Sequence, residues 1–184
     1  MGATTTRANS FLQRLIGAAA LDSAIYEEVE ADRAATWQAL GVVVAASVAA
    51  GVGARPWGAA SPAEIGFYTL VALVAWVVWA VVTFEIGAQI LPDPETRADV
   101  GELLRTTGFA AAPGILRVFG VLPGVSGPAI IVTAIWMLAA MIVAIRQALD
   151  YRSTARAVAV CVLGWLLAIA FAVGIGLLFG PVAS

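Results

Sequence analysis

Apolar residues in this chain fall into five long runs, separated by short stretches that hold most of the charge. The runs extend from Thr36 to Gly53, Glu64 to Leu91, Leu103 to Leu122, Pro128 to Ile145 and Arg156 to Gly180. A helix of about 20 apolar residues crosses a hydrocarbon core of about 30 Å. Lipid offers the backbone no hydrogen-bond partner, so a spanning segment is a helix or part of a closed barrel. Barrel strands alternate polar and apolar residues, and the run Val71-Ala72-Leu73-Val74-Ala75-Trp76-Val77-Val78-Trp79 does not. The pattern therefore predicts an all-α membrane protein: a five-transmembrane-helix bundle over 35–180, with an N-terminal cytoplasmic amphipathic helix.

The flanking segments have patterns of their own. Residues 1–9 predict a flexible tail and 181–184 a short outer tail. Over 10–34, apolar residues fall at Phe11, Leu12, Leu15, Ile16, Ala19 and Ala20, then at Leu21, Ile25 and Val29, at helical spacing. Asp22, Glu27, Glu28, Glu30 and Asp32 lie among and after them, which predicts one or two amphipathic helices on the cytoplasmic surface. Ser61-Pro62-Ala63-Glu64 combines a capping serine, an N1 proline and a glutamate that closes a capping box. Pro92 and Pro94 end that span, because proline lacks the amide hydrogen that continues a helix. A short helix through Asp99 to Arg105 follows. Within the third run, Pro113 and Gly114 mark a helix break.

Charge then fixes an orientation. Arginine resists translocation and marks the cytoplasmic side. Five crossings with the N-terminus inside place Arg7, Arg14, Arg33, Arg97, Arg105, Arg146, Arg152 and Arg156 within, and only Arg55 and Arg117 outside. Without the third crossing the division weakens to six against four. The predicted location is the cell membrane, multi-pass, with the N-terminus cytoplasmic and the C-terminus outside. Tyr151 at the inner boundary, and Trp57 and Tyr68 toward the outer one, read as interface anchors. Mean hydropathy is +0.95 and net charge −2, without nucleic-acid character. Arginine is the sole basic residue, with abundant alanine, valine and glycine, a composition that points to a GC-rich bacterial or archaeal genome.

Candidate chemistry is sparse. With no histidine and one cysteine, Cys161, imidazole catalysis and His/Cys metal sites are excluded. The expectation is a non-enzymatic protein without cofactors. Glu85 is the carboxylate set inside an apolar run, and ionisable groups in membranes are costly enough to suggest function. Gln89 follows on the same face at i+4. Glu85 either snorkels to the headgroups, pairs with an arginine of the second or fourth inner loop, or handles an ion or proton. Arg117, on the arginine-poor side, either snorkels, binds a phosphate headgroup or locks the outer end of the bundle. Arg146 and Asp150, at i and i+4, predict an interfacial brace. Gly164, Ala168, Ala172, Gly176 and Gly180 recur every four residues, a small-residue face that lets helices approach closely. It serves internal packing or a homo-oligomer seam.

Several stretches together resemble a known family: Tyr26-Glu27-Glu28-Val29-Glu30-Ala31-Asp32, Glu102-Leu103-Leu104-Arg105-Thr106-Thr107-Gly108-Phe109-Ala110-Ala111-Ala112-Pro113-Gly114, and Trp136 followed by Val143-Ala144-Ile145-Arg146-Gln147-Ala148-Leu149-Asp150-Tyr151 and Thr154-Ala155-Arg156-Ala157. They are similar to the bacterial branch of the Yip (Ypt-interacting, Yip-one domain) family of small integral membrane proteins, over about residues 10–180. The resemblance implies five spans, a cytoplasmic N-terminus and an outward C-terminus. The Asp-Leu-Tyr-Gly-Pro pattern of eukaryotic members is missing, so their GTPase contact is not carried over. The expected function is a scaffold or adaptor for membrane organisation, its partners being lipids, other membrane proteins or a second copy, with no nucleic acid. The alternative is a transporter or channel component using the Glu85/Gln89 face and the Pro113-Gly114 break.

Overall fold

The computed structural model describes residues 9–53, 61–94, 96 and 98–179, with backbone alone at 68, 168, 169 and 171–179. The described residues form an all-helical protein: α1 (Phe11–Ala19), α2 (Ser23–Ala31), α3 (Ala35–Gly53), α4 (Pro62–Phe84), α5 (Val100–Phe109), α6 (Ser126–Ala148) and α7 (Thr154–Phe179). A π-helical turn, Glu85–Ile90, prolongs α4, and a 3₁₀ helix, Ala112–Val121, follows α5. Among the described residues, three helices are long and apolar enough to cross a membrane: Ala35–Gly53, Pro62–Ile90 and Ser126–Ala148. The third apolar run is α5 joined to the 3₁₀ helix, with Pro113 and Gly114 in the first 3₁₀ turn.

Small residues decide how this broken element packs. It runs parallel to α3: a Cβ on Gly108 would lie 2.7 Å from Ala39 Cβ, and one on Gly114 3.2 Å from Ala46 Cβ. At the far end, a Cβ on Gly53 would sit 1.8 Å from the Arg117 carbonyl oxygen, and one on Gly120 2.4 Å from the Gly53 oxygen. Backbone meets backbone there, and neither glycine can be enlarged. A 3₁₀ helix has 3.0 residues per turn, so Gly114, Arg117 and Gly120 stack on one face. In an α-helix, at about 100° per residue, Gly114 and Gly120 would point about 120° apart. Ten residues of 3₁₀ is an unusually long run, and the contact with α3 is what it provides.

The N-terminal helices form a collar against α3, α5 and α6. Leu21, in the left-handed region at φ 63°, turns the chain between α1 and α2. Its neighbours close the end of α1, with Asp22 N–H donating to the Gly17 carbonyl at 3.0 Å and Leu21 N–H to Ala18 at 3.1 Å. Tyr26 O–H donates to the Ala18 carbonyl at 3.1 Å and Trp136 Nε1–H to Ala19 at 2.7 Å. Tyr26, Val29, Phe109 and Ala144 are fully buried in the shared core.

The two α4 termini are fixed differently. At the start, Ser61 Oγ accepts from Glu64 N–H at 3.2 Å and the Glu64 carboxylate accepts from Ser61 N–H at 3.0 Å, the reciprocal cap expected from Ser61-Pro62-Ala63-Glu64. At the end, the π turn displaces carbonyls from α-helical register. Tyr151 Oη lies 2.8 Å from both the Gly87 and the Leu91 carbonyl oxygens, in reach to donate to either. Tyr151 is 3% exposed, so it plugs the end of α4 instead of anchoring at the lipid boundary. Asp150, at φ 51°, occupies the left-handed position that ends α6, with Tyr151 N–H donating to the Arg146 carbonyl at 2.9 Å. Arg146 returns the contact, Nε–H to the Tyr151 carbonyl at 3.3 Å. The expected brace of Arg146 with Asp150 is thus a brace of Arg146 with the turn itself.

Candidate functional site

Two constellations stand out, a charged cluster in the collar and a cavity between the helices. The cluster is built on Arg14, which is 3% exposed and projects from α1 between α2 and α3. Its guanidinium pairs with Glu28 at 2.9 Å and Asp32 at 2.8 Å, and donates to Gln38 Oε1 at 3.1 Å. Asn9 donates to Glu28 through its backbone N–H at 3.0 Å and through its side-chain amide. Burial works against the charge on Arg14, but the bonds to Asp32 and Glu28 outweigh it and the net shift is upward. Burial likewise raises Glu28, yet the bonds from Asn9 and Arg14 prevail and hold it below the usual carboxylate range. The Arg14 bond holds Asp32 low as well, with Ala34 N–H helping against partial burial. A buried charge is tolerated only when paired and hydrogen-bonded, and here it locks three helices together.

Arg105, 6% exposed on α5, makes the second lock. Its Nε–H reaches the Val29 carbonyl at 3.1 Å and the Glu30 carbonyl at 2.9 Å, and Nη2 donates to Glu30 as well. These carbonyls belong to the last turn of α2, where a cation complements the helix dipole. Beside it the Glu30 carboxyl is pushed up to about 7, first by burial and then by the charges of Glu102 and Asp150, with Arg105 opposing.

The cavity, about 690 Å³, lies between α3, α4, α6 and the α5–3₁₀ element. Its charged lining residues are Arg117 and Glu64. Trp76, Trp79, Met137 and Met141 line its apolar part. Trp76 Nε1–H donates to Thr107 Oγ1 at 3.2 Å, which ties α4 to α5 at the floor. Arg117 Nε–H donates to Thr133 Oγ1 at 3.0 Å. Thr133 is 2% exposed, and its hydroxyl sits 2.7 Å from the Ala129 carbonyl of its own helix. The hydroxyl thus donates inward and accepts from Arg117, which fixes the guanidinium at the cavity wall.

The sequence-predicted residues divide accordingly. Arg117 lies in the cavity, and Gly114 abuts it, within 2.9 Å of Met137 Sδ for an added Cβ. Glu85 and Gln89 are exposed on the π turn and do not line the cavity. Gly164 is buried against α4, where an added Cβ would lie 2.8 Å from the Trp79 ring, so this member of the small-residue face packs internally. The side chains of Ala168 and Ala172, the surroundings of Gly176, and Gly180 lie outside the described residues, as do Arg7, Arg55, Trp57, Arg97, the Tyr68 side chain and the tails 1–8 and 181–184. Sequence reading missed Glu64 as a cavity residue, having assigned it only a capping role. It also missed Trp76 and Trp79, although Ala72, Trp76 and Trp79 share one helical face at i, i+4 and i+7. Comparison with family models, with curated proteins and with solved structures gives no match.

Proposed function

We propose that this is a non-enzymatic, multi-pass membrane scaffold of Yip type, with five spans, a cytoplasmic N-terminus and an outward C-terminus. The observation that carries the reading is the collar. α1 and α2 are clamped by Arg14 and Arg105 onto the other helices, while Leu12 and Ile16 on α1 stay 61% and 60% exposed, as does Trp37 in the first turn of α3 at 78%. An apolar edge held on a rigid frame suits insertion at a membrane boundary or contact with a neighbouring membrane protein. Support for the third crossing comes from the parallel run of α5–3₁₀ beside α3. At about 1.5 Å per α-residue and 2.0 Å per 3₁₀ residue, its two ten-residue parts reach roughly 35 Å in all, with Arg105 and Arg117 about 21 Å apart along it, so the two charged ends lie toward opposite boundaries of the ~30 Å hydrocarbon layer. The eight-to-two arginine division agrees with that path.

Topology is tested by a reporter fused after Ser184, expected to be active only outside the cytosol. The scaffold is tested by cross-linking in native membranes. Leu12→Ser with Ile16→Ser and Trp37→Ser is expected to remove cross-linked species while leaving the thermal midpoint in detergent within a few degrees. Cross-links that persist unchanged would take the collar edge out of the reading. The transport alternative draws on the cavity and the adjoining Pro113-Gly114 turn. Flux that survives Glu85→Gln in liposomes would remove the Glu85/Gln89 path from it.

A further inference from the structure

We propose that α1 is embedded in the cytoplasmic leaflet, with Leu12 and Ile16 among the lipid acyl chains, instead of lying on the membrane surface. Of the two coverings that suit the collar edge this selects lipid, and it rests on the membrane reading above. At about 100° per residue, Leu12 and Ile16 each point about 160° away from Arg14. Arg14 is the sole ionisable residue of α1, and it turns inward onto Glu28, Asp32 and Gln38. The face opposite it therefore looks away from the bundle. That face is exposed and uncharged at Leu12, Ile16 and Ala20.

The contacts of α1 set its depth. Trp136 Nε1–H donates to the Ala19 carbonyl, and Trp136 stands about 18 Å from the Ala148 end of α6 at 1.5 Å per residue. The 23 residues of α6 make a helix of about 34 Å, little more than the ~30 Å of hydrocarbon, so nearly all of it is needed to cross. Even after a full tryptophan side chain is subtracted, the end of α1 stays more than one helical turn below the end of α6. At the start of α1, the Phe11 ring meets Phe109 edge-on, and Phe109 lies about 6 Å beyond Arg105 along α5. Both ends of α1 thus fall below the level where Gln147 meets Glu27. Asp22 and Ser23, exposed at the turn into α2, hold the helix at the junction of headgroups and chains. In-plane helices bury their apolar face about 5–10 Å at that junction.

The surface around α1 is continuous with lipid-facing surface. On α6, Ala144 and Ala140 are fully buried under the collar, Trp136 is half-buried at its edge, and Val132, one turn further on the same face, is exposed. Ala112, at the start of the 3₁₀ helix, is buried in the same core as Ala18, whereas Leu116 and Phe119 beyond it are exposed. The collar takes the place of lipid over the cytoplasmic half of this side of the bundle, and acyl chains cover the rest. The Leu12–Ile16 edge adjoins that covered surface and is covered by the same chains.

The test uses the full-length chain in vesicles of phosphatidylethanolamine and phosphatidylglycerol, with no other protein present. Cys161→Ala removes the native thiol, and a nitroxide is attached in turn through Leu12→Cys, Ile16→Cys, Glu27→Cys and Val132→Cys, all at exposed positions. Collisions with oxygen, which partitions into acyl chains, are compared with collisions with a water-soluble nickel chelate. The oxygen-to-nickel ratio at Leu12 and Ile16 is expected to exceed that at Glu27 by at least about 3-fold and to approach that at Val132. A ratio at Leu12 and Ile16 equal to that at Glu27 would place α1 in water and overturn the proposal. Spin–spin broadening there, with low access to both reagents, would overturn it in favour of a second copy. Nickel access at Val132 as well would remove the membrane span on which it rests. Cross-links that persist in native membranes count against the scaffold and leave this ratio unchanged, so the two failures are distinguishable.

Discussion

The α3/α5–3₁₀ seam and helix α4 are built from similar residues and packed to opposite standards. In the seam, Gly53 and Gly120 bring two backbones into direct contact, and Ala35, Ala39, Val42 and Phe109 are buried completely or nearly so. By contrast, α4 leaves Phe67, Leu70, Val74 and Val78 exposed, and only 6% of its apolar window is buried. Trp79 Nε1 and Thr69 Oγ1 on α4 are shielded without a hydrogen-bond partner among the described residues, which is uncommon in a well-packed interior. Hydrophobicity alone does not separate these regions, since α4 is the more apolar helix. What separates them is where glycine and alanine fall relative to a partner backbone. Lipid provides no drive to bury a valine, so close approach at small residues sets which contacts are tight.

The largest expected effect strikes the seam. Gly53→Ala forces a Cβ into the Arg117 carbonyl, where no side chain can swing away. Overpacking against backbone exceeds the usual core penalty, so a loss of at least about 3 kcal/mol is expected. It should register as a collapse of the thermal unfolding midpoint in detergent. A midpoint near that of the unmodified chain would show that the seam can slide apart.

Next comes Arg14→Met, which keeps the stem and removes the charge. Breaking a fully buried ion pair costs about 3–5 kcal/mol. Glu28 and Asp32 are 25% and 35% exposed, so water can reach them and about 2–3 kcal/mol is the better expectation. Proteolysis at 9–31 should accelerate before the bundle itself unfolds. A uniform unfolding transition would mean that collar and bundle are one cooperative unit.

Where α7 meets α4, the same chemical change gives a smaller response. Gly164→Ala meets the edge of the Trp79 ring, a side chain free to shift, and should cost about 1 kcal/mol or less. Equal losses from Gly53→Ala and Gly164→Ala would erase the contrast between the two regions.

The finest probe is pH. The Glu30 carboxyl titrates near 7 in the folded protein against about 4.3 in an unfolded chain. The folded state therefore binds more protons between those values, and this group lowers stability as pH rises through that window. Glu30→Gln should flatten the loss of stability between about pH 4.5 and 7 and raise the midpoint at pH 8. An unchanged slope would assign the dependence to other groups.

Some of this was legible beforehand because the cause is local. Ser61-Pro62-Ala63-Glu64 caps α4 as its spacing requires, and Asp99 with Glu102 starts α5 by the same reciprocal bonds. The two N-terminal helices follow from their apolar spacing. What stayed hidden depends on partners distant in sequence. Arg14 reads as a flaw in an apolar stretch until Glu28, Asp32 and Gln38 surround it. Glu85 attracts attention as a carboxylate among valines, yet it lies exposed at the end of its helix. Arg117 is conspicuous in the chain, but the cavity it borders takes walls from four elements, and no periodicity reports a space. Pro113 announces an interruption without saying that a 3₁₀ helix follows.

That 3₁₀ helix also bears on how hydropathy is converted into length. An apolar stretch is ordinarily measured as one unbroken α-helix, and by that ruler the third run is just long enough but too broken to count. Winding ten residues more tightly about a thinner axis gains roughly 5 Å over the ordinary coil. Segments of this kind will be undercounted wherever residues are tallied and ångströms are assumed.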